Sequence, residues 1–458
     1  MNRKNLSILL GIGVILLGFS GVAQARERAV VDKAFTPEME WFKDAKFGVF
    51  IHWGIYGVNG DGASWPIFNG KVSYKDYMKQ ADSFTAAKYD PKAWAELFKE
   101  SGARYAVLTT KHHDGMALWD TKASDLSVVK ASPAKRDLVK PFAEAMREKD
   151  LKVGFYFSWL DWSNPDYGSL GRMRASDKGK SKPTSEEQWN RFRTFNDQQL
   201  KELCSMKPDL LWFDGDWGIS ESYWDMEGMR KKLKTWDPGV VLNARMGSFG
   251  DYDTPEQGIP FAQLPRAWEL CMTMGPGWGY NASLEDNPRS QIPVEYLIQL
   301  LSETVAMGGN LLLNVSPRPD GTIPEWQIER LKQIGAWLKL NGEAVYGSRA
   351  GIHKNHYAGC STLSKDRKTL YLFVSCKPIN GLMLKGLQNN PKKISVLGSP
   401  EIKINMKNVG GAAWNKVPPT RFLKVPDELE MGLGRVLKVE LEEPIDLYTG
   451  KSGKISQN

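Results

Sequence analysis

The sequence predicts an α/β protein in which a (β/α)8-like barrel is followed by a C-terminal antiparallel β-sandwich. Three observations lead to this prediction. Apolar runs typical of buried strands alternate with amphipathic helical patterns as far as about Val345, which favours parallel βαβ units. Polar or aromatic residues follow one strand after another, as they do at the catalytic face of a barrel. Beyond Val345 the runs become short and often alternate, with Gly, Pro and Asn between them.

Each predicted barrel strand is an apolar run with a polar residue at or near its end. The clearest run ends with Trp212 and Phe213, stops at Asp214 and turns at Gly215. The predicted strands span residues 47–53, 105–110, 153–158, 210–213, 240–245, 267–274 and 310–315. The strand-end residues that a barrel would gather on one face are His52, His112, His113, Tyr156, Asp214, Arg245 and Asn314. An open doubly wound sheet would need a glycine-rich phosphate turn after its first strand, and the sequence has none.

The helices are predicted from apolar residues at helical spacing. Trp94, Leu97 and Phe98 lie at i, i+3 and i+4, and Gly102 ends that helix. The predicted barrel helices span residues 91–101, 138–148, 185–205, 223–235, 294–307 and 324–340. The predicted sandwich strands span residues 371–375, 394–397, 402–406 and 436–441.

The chain of 458 residues is long enough for two domains behind a secretory signal. Arg3 and Lys4 precede an apolar region at 6–19, and Ala23-Gln24-Ala25 matches a small-x-small cleavage site. An uncleaved anchor is the competing interpretation. We therefore expect a signal peptide at 1–25, a catalytic barrel at 26–345 and a β-sandwich at 346–458. The expected location is secreted or periplasmic, with no membrane attachment after cleavage.

The formal net charge is +8, and removal of the two signal-peptide charges leaves +6. Basic and acidic residues are interpreted as interleaved, which favours a generic solvated surface over a preference for anionic, for example sulfated, glycans. No nucleic-acid-binding signature is found. The four cysteines lack metal-ligand spacing, and an oxidising compartment would permit one disulfide, with Cys360 and Cys376 as the first candidates.

Histidine and tryptophan point to a sugar pocket. Three of the five histidines (His52, His112 and His113) lie at strand ends, where neutral imidazole can donate to or accept from hydroxyl groups. A metal site is disfavoured, because adjacent strand residues point to opposite faces and no carboxylate lies at a familiar metal spacing. Structural histidines and an aromatic core are the alternatives. The tryptophans beside polar residues are Trp53, Trp65, Trp162, Trp212, Trp217 and Trp278.

Glycoside hydrolysis needs two carboxyl groups on either side of one bond. Asp214 is the first candidate and Asp216 a weaker one. The second carboxyl group should come from a later strand or loop, and both Glu256 and Glu269 qualify by position.

Several motifs, in this order, resemble those of the exo-acting α-L-fucosidases of glycoside hydrolase family 29. The resemblance covers nearly the whole mature chain. The matching segments are 47–54 (FGVFIHWG), 111–115 (KHHDG), 211–215 (LWFDG), 253–256 (DTPE), 268–269 (WE), 278–281 (WGYN), 309–315 (GNLLLNV) and 341–346 (NGEAVY).

The resemblance implies a retaining exo-glycosidase that removes terminal α-L-fucose without a cofactor. It assigns Asp214 as the nucleophile and Glu256 as the acid/base, with Glu269 as the runner-up because this position varies within the family. The resemblance also implies which residues bind the sugar. Its hydroxyls would be bound by His52, His112, His113 and Arg245, and Trp212 would pack beside the ring. Phe50 and Trp278 would form a wall for the C6 methyl, and Tyr156 would lie near the site.

One departure bears on the substrate. The family often has Glu-Trp where this chain has Ser64-Trp65. An α-L-galactosidase, on sulfated glycans for example, is therefore an alternative. A non-catalytic carbohydrate-binding protein is a separate alternative, and the presence of both Asp214 and Glu256 argues against it. The expected partner is a fucosylated or related L-sugar glycan, and the sequence leaves the linkage and the oligomeric state open.

Overall fold

The computed structural model describes residues 38–60, 62–167, 183, 185–219 and 221–450. The expected signal peptide and the last residues of the expected sandwich domain lie outside this range. Within it, no helix combines the length and the apolar character that a membrane span requires.

Parallel strands form the barrel wall, as predicted. In the described part of the chain they run in the order β5-β4-β3-β2-β1-β7-β6, and every neighbouring pair is parallel. Nearly all residues of these strands are buried, which is why they appear as continuous apolar runs in the sequence. Their bounds are β1 (Phe47–Ile51), β2 (Tyr105–Lys111), β3 (Lys152–Ser158), β4 (Leu210–Asp214), β5 (Val241–Leu242), β6 (Glu269–Met272) and β7 (Asn310–Val315).

An irregular segment at 252–256 closes the barrel between β5 and β6. Tyr252 bridges to Asn243 just after β5, while Asp253 and Glu256 make parallel bridges to Trp268 and Cys271. The segment therefore occupies the eighth strand position without being a regular strand. The predicted strands at 240–245 and 267–274 are correspondingly shorter in the structure, because Asn243 and Trp268 pair with this segment only through isolated bridges.

The helices begin at capping residues that the sequence supplies. Asp90 accepts hydrogen bonds from the backbone N–H groups of Lys92 and Ala93, and Ser185 accepts one from Gln188. Asp225 caps α8, so that helix starts later than the predicted residue 223. The helices are α1 (Glu38–Ala45), α2 (Trp65–Phe68), α3 (Tyr74–Met78), α4 (Pro91–Glu100), α5 (Val128–Ala131), α6 (Val139–Glu148), α7 (Glu186–Ser205), α8 (Met226–Trp236), α9 (Val294–Ala306) and α10 (Glu325–Asn341).

The barrel interior is a packed core beneath the site. Helix α1 contributes Phe42, whose ring centroid lies 4.3 Å from that of Tyr252 and 6.2 Å from that of Tyr105. The same buried cluster continues upward through Trp212 and Phe50 to the pocket. Aromatic side chains thus fill the barrel from its N-terminal end to the floor of the site.

Two antiparallel sheets form the C-terminal sandwich, with orders β12-β15-β10-β9-β8 and β11-β14-β13. Their bounds are β8 (Arg349–Ala350), β9 (Ser361–Leu363), β10 (Thr369–Val374), β11 (Leu382–Leu384), β12 (Lys393–Val396), β13 (Asn405–Val409), β14 (Thr420–Lys424) and β15 (Arg435–Glu440). Leucine and valine side chains, among them Leu372, Leu423 and Leu437, fill the space between them. The predicted fold class, a (β/α)8-like barrel followed by an antiparallel β-sandwich, is therefore confirmed.

Two sequence expectations in this domain are wrong. The strand predicted at 402–406 starts only at Asn405, because Ile402 and Ile404 pack toward the sandwich core before the strand begins. The candidate disulfide is absent, since Cys360 and Cys376 are both free thiols. Cys360 packs against the barrel core, whereas Cys376 is exposed beyond the end of β10.

Candidate active site

A pocket of about 210 Å³ opens at the C-terminal ends of the barrel strands. Its small size suits one sugar ring. The residues that line it are Phe50, His52, Trp65, His112, His113, Tyr156, Trp212, Asp214, Trp217, Arg245, Glu256 and Trp278. The sequence-predicted site residues are therefore together in one pocket, with the exception of Glu269. The weaker candidate Asp216 also lies outside the lining.

Asp214 is the last residue of β4, and each of its oxygens is bonded. Oδ1 accepts hydrogen bonds from the Arg245 guanidinium at 2.5 Å and the Gly215 backbone at 2.7 Å, and Oδ2 accepts one from the Tyr156 hydroxyl at 2.9 Å. Burial opposes the ionisation of this carboxyl group. Arg245, His113 and Tyr156 outweigh that effect and hold the pKa of Asp214 at about 2. Asp214 is thus an ionised carboxylate at the pocket floor.

Arg245 connects Asp214 to Glu256. Its Nη1 atom donates to Asp214, and its Nη2 atom donates to Oε2 of Glu256 at 2.6 Å. The guanidinium also lies over the Trp212 ring, with Cζ 4.7 Å from the ring centroid. The Glu256 side chain is 39% exposed and belongs to the closing segment, so it reaches the pocket from the solvent side. Two carboxylates in different surroundings therefore face one small pocket.

Two of the three histidines are fixed as acceptors toward the pocket. Asn314 donates its amide N–H to the carbonyl oxygen of Trp278, so its Oδ1 atom accepts from Nδ1–H of His52 at 2.7 Å. Ser158 donates its hydroxyl to the Leu160 carbonyl, so it accepts from Nδ1–H of His113 at 2.6 Å. Both rings are left with an unprotonated Nε2 atom.

Burial keeps all three histidines neutral. It lowers the pKa values of His52 and His113 to about 4 and that of His112 well below the usual range. Nε2 of His113 lies 3.7 Å from Oδ2 of Asp214 and has no hydrogen-bond partner in the structure. No donor from the described residues lies between Nε2 of His113 and the Asp214 carboxylate. A sugar hydroxyl placed there could donate to His113 and so supply the missing hydrogen bond.

Aromatic rings form the rest of the wall. Phe50 contacts Trp212 and Trp278, with ring centroids 5.0 and 6.0 Å apart. Trp65 stacks with Trp217 at 6.0 Å on the other side, beside His113. These faces suit the apolar side of a sugar ring.

Glu269 lies beneath the pocket. It is the first residue of β6, is fully buried and accepts hydrogen bonds from Tyr105, Trp212 and Tyr252 at 2.5, 2.9 and 3.3 Å. Burial raises its pKa to about 7, against the effect of these donors. The barrel core thus separates it from a substrate in the pocket.

Trp217, one of the tryptophans that the sequence places beside polar residues, also lines the pocket. Sequence reasoning missed two side-chain contacts of the site: Ser158 orients His113, and the Ser64 hydroxyl lies 2.6 Å from Nδ1 of His112. The register pairs Ser158 with Asp214 at the ends of adjacent strands, so its strand-end position was the available signal. Among the described residues, no group of three or more His, Cys, Asp or Glu side chains is arranged to hold a metal ion.

The fold and this site define a barrel glycoside hydrolase with a one-sugar pocket. The sequence profile of the alpha-L-fucosidase family matches residues 22–343. Human plasma alpha-L-fucosidase is 34% identical over 399 residues, which cover 80% of each chain. The chain therefore belongs to the alpha-L-fucosidase family and is a glycoside hydrolase of that family.

Solved structures of similar fold also come from alpha-L-fucosidases. Alpha-L-fucosidase isoenzyme 1 from Paenibacillus thiaminolyticus is 32% identical and superimposes with a TM-score of 0.78, covering 89% of this chain and 99% of that one. A GH29 alpha-L-fucosidase from Bacteroides thetaiotaomicron, a covalent intermediate trapped with 2-fluoro-fucosyl fluoride, is 29% identical with a TM-score of 0.77, covering 88% and 96%.

Proposed function

We propose that this protein hydrolyses terminal α-L-fucosides with retention of configuration, through a covalent fucosyl-enzyme on Asp214. The observation that carries the proposal is the Arg245 guanidinium, which binds Asp214 and Glu256 at the floor and rim of one sugar-sized pocket. A retaining glycosidase needs two carboxyl groups close together, one as nucleophile and one as acid/base.

In the first step, Asp214 attacks the anomeric carbon and the bond to the leaving-group oxygen breaks. Glu256 gives its proton to that oxygen, so the aglycone departs as an alcohol. In the second step, Glu256 takes a proton from water, the water oxygen bonds to the anomeric carbon, and Asp214 leaves as a carboxylate. The low pKa of Asp214 suits the nucleophile and leaving group, because the group is ionised at working pH.

Glu256 is the better candidate for the acid/base because it lines the pocket and is partly open to water, which the second step requires. Glu269 is bonded to three donors within the barrel core. We therefore assign proton transfer to Glu256.

The hydroxyl groups of the sugar are proposed to donate to Nε2 of His52 and His113. Both atoms are acceptors, and a site that hydrogen-bonds a hydroxyl discriminates strongly against sugars that lack it. Phe50 and Trp278 are proposed to hold the C6 methyl, since burial of one methyl group contributes about 0.8 kcal/mol. Signal-directed export to the periplasm or medium is part of the proposal and rests on the sequence of residues 1–25.

The test is hydrolysis of 4-nitrophenyl α-L-fucoside by wild type, Asp214→Asn, Glu256→Ala and Glu269→Ala, with the α-L-galactoside in parallel. We expect cleavage of the fucoside, loss of turnover in Asp214→Asn, and recovery of Glu256→Ala with azide, which replaces water in the second step. Azide rescue of Glu269→Ala in place of Glu256→Ala would overturn the acid/base assignment. Cleavage of the galactoside alone would overturn the substrate.

A further inference from the structure

The positive charge of the chain is concentrated in one stretch of the sandwich. Residues 377–424 contain nine basic residues and one acidic residue, Glu401, which gives a net charge of +8. The whole chain also has a formal net charge of +8, so the remaining residues balance each other. The interpretation that basic and acidic residues are interleaved is therefore wrong for this stretch.

The lysines of this stretch are mostly exposed and lack acidic partners. Lys377, at the start of the stretch, does pair with an acid, Asp427, as does Lys438 outside the stretch, which pairs with Glu343. Seven lysines are exposed and form no ion pair with another described side chain: Lys385, Lys392, Lys393, Lys403, Lys407, Lys416 and Lys424. Unneutralised charges of one sign create a field that attracts a polyanion.

Part of this charge lies on the outward face of the sheet β11-β14-β13. Phe422 pairs with Met383 on one side and Lys407 on the other, and Lys424 pairs with Asn405. The intervening residue Leu423 is buried against the sandwich core, so Phe422 and its neighbours point outward. The face therefore combines the Phe422 ring and the Asn405 amide with the ammonium groups of Lys407 and Lys424.

The chain connection between two strands of this face carries an exposed tryptophan, Trp414. Trp414 lies in the connection between β13 and β14, and 90% of its surface is exposed. An exposed tryptophan offers a flat ring on which the CH face of a sugar can stack. Lys416 follows it in the same connection.

We propose that this face, formed by β11, β14, β13 and the β13–β14 connection, binds a sulfated polysaccharide outside the catalytic pocket. Lysines bind the sulfate groups as point charges, and Trp414 stacks on a sugar ring. A glycan is favoured over a nucleic acid because the chain carries a sugar-sized pocket and no nucleic-acid-binding motif.

The experiment measures retention on immobilised heparin, used as the sulfated probe, for wild type, Trp414→Ala and the triple variant Lys407→Gln, Lys416→Gln, Lys424→Gln. A matched control removes three exposed lysines of the barrel helices and their flanks: Lys140→Gln, Lys201→Gln, Lys339→Gln. We expect the sandwich triple to elute at a clearly lower salt concentration, Trp414→Ala to elute earlier than wild type, and the barrel triple to behave like wild type.

Equal loss in both triples would reduce the effect to net charge and overturn the proposal. So would competition by duplex DNA as strong as that by free heparin at equal charge concentration. Hydrolysis of a small fucoside is expected to be unchanged in all these variants, which separates this proposal from the proposed catalytic function.

A second inference concerns Glu269, and it rests on the proposed roles of Asp214 and Glu256. The Glu269 carboxylate is bonded to both elements that carry the proposed catalytic carboxylates. Trp212 precedes Asp214 by two residues on β4, and Tyr252 begins the closing segment that ends in Glu256.

The contacts continue to the catalytic groups themselves. The indole that donates to Glu269 supports the Arg245 guanidinium on its ring face, and Arg245 holds both Asp214 and Glu256. The backbone N–H of Glu269 also donates to Asp253 in the closing segment at 2.8 Å. We infer that Glu269 is a positioning residue that sets the separation of the two catalytic carboxylates.

The test compares Tyr252→Phe with Tyr105→Phe, because each removes one hydroxyl donor to Glu269. Tyr105 lies on β2, which carries neither carboxylate, so it is the matched control. We expect Glu269→Gln and Tyr252→Phe to lower kcat at least several-fold on substrates with poor leaving groups, which need a well-placed acid, and less on activated aryl fucosides. Tyr105→Phe should affect both substrates equally.

Equal loss on good and poor leaving groups in Glu269→Gln and Tyr252→Phe would reduce Glu269 to a structural role and overturn this inference. Azide rescue of Glu269→Ala would overturn it differently, since Glu269 would then be the acid/base. Failure of azide to rescue any variant would instead count against the proposed mechanism.

Discussion

The hydroxyl oxygen of Ser64 lies 2.6 Å from Nδ1 of His112, and both side chains are buried at the edge of the pocket. The family often has glutamate at the position of Ser64, so the sequence raised the question of what the shorter side chain does. In the structure it is the hydrogen-bond partner of a pocket histidine. Ser64 therefore helps to hold a histidine that is proposed to bind the sugar.

Ser64→Ala removes this partner. Because a buried polar atom without a partner costs about 1–3 kcal/mol, we expect His112 to shift and kcat/KM for the fucoside to fall by about tenfold. Steady-state kinetics measure the change. An unaltered kcat/KM would show that His112 needs no support from Ser64.

Arg245→Met removes the charge that holds the pKa of Asp214 at about 2. The pKa should rise toward or above its usual value of 3.8, so the acidic limb of the pH profile of kcat/KM should move to higher pH. Turnover should fall by about a hundredfold or more. Arg245→Lys keeps the positive charge, so the acidic limb of its pH profile should shift less. Identical pH profiles of kcat/KM for the two variants would contradict this account.

Phe50→Ala opens the wall proposed to contact the C6 methyl. We expect the preference for the α-L-fucoside over the α-L-galactoside to narrow by about fourfold, which corresponds to about 0.8 kcal/mol. The ratio of the two kcat/KM values measures this. A ratio equal to that of wild type would place the methyl group elsewhere.

His113 couples stability to pH. Its pKa is about 4 in the folded protein, against about 6.5 when unfolded, so only the unfolded state gains a proton in this range. The contribution of His113 to stability is complete above pH 6.5 and is lost as the pH falls toward 4, by up to about 3 kcal/mol. Urea unfolding at pH 7 and 4.5 should show a smaller loss in His113→Gln than in wild type, and equal losses would contradict the prediction.

The sequence predicts those parts of the site that follow from strand ends. His52, His112, Tyr156 and Asp214 lie on or directly after buried strands, and parallel strands bring these positions to one face. The closing segment was not predicted, because it joins the barrel through isolated bridges and contains Pro255, so it has no strand pattern.

Partners contributed by other elements were also beyond prediction. The bond of Ser64 to His112 depends on how a side chain from the connection after β1 meets one that follows β2, whereas Ser158 could have been found from its strand-end position. Glu269 was placed among the acid/base candidates although it begins β6, whereas a barrel strand offers its C-terminal end to the substrate. Its place at the start of the strand supports the proposed assignment of the acid/base role to Glu256.

The most direct test of the central claim is intact-protein and peptide mass spectrometry of Glu256→Gln after incubation with 2-fluoro-fucosyl fluoride. The reagent has a good leaving group, so the first step does not need the acid, and the fluorine slows the second step. We predict one fluorofucosyl adduct per chain, located on the peptide that contains Asp214. An adduct on another carboxylate, or turnover of the fucoside without any adduct in wild type or variant, would contradict a covalent mechanism on Asp214.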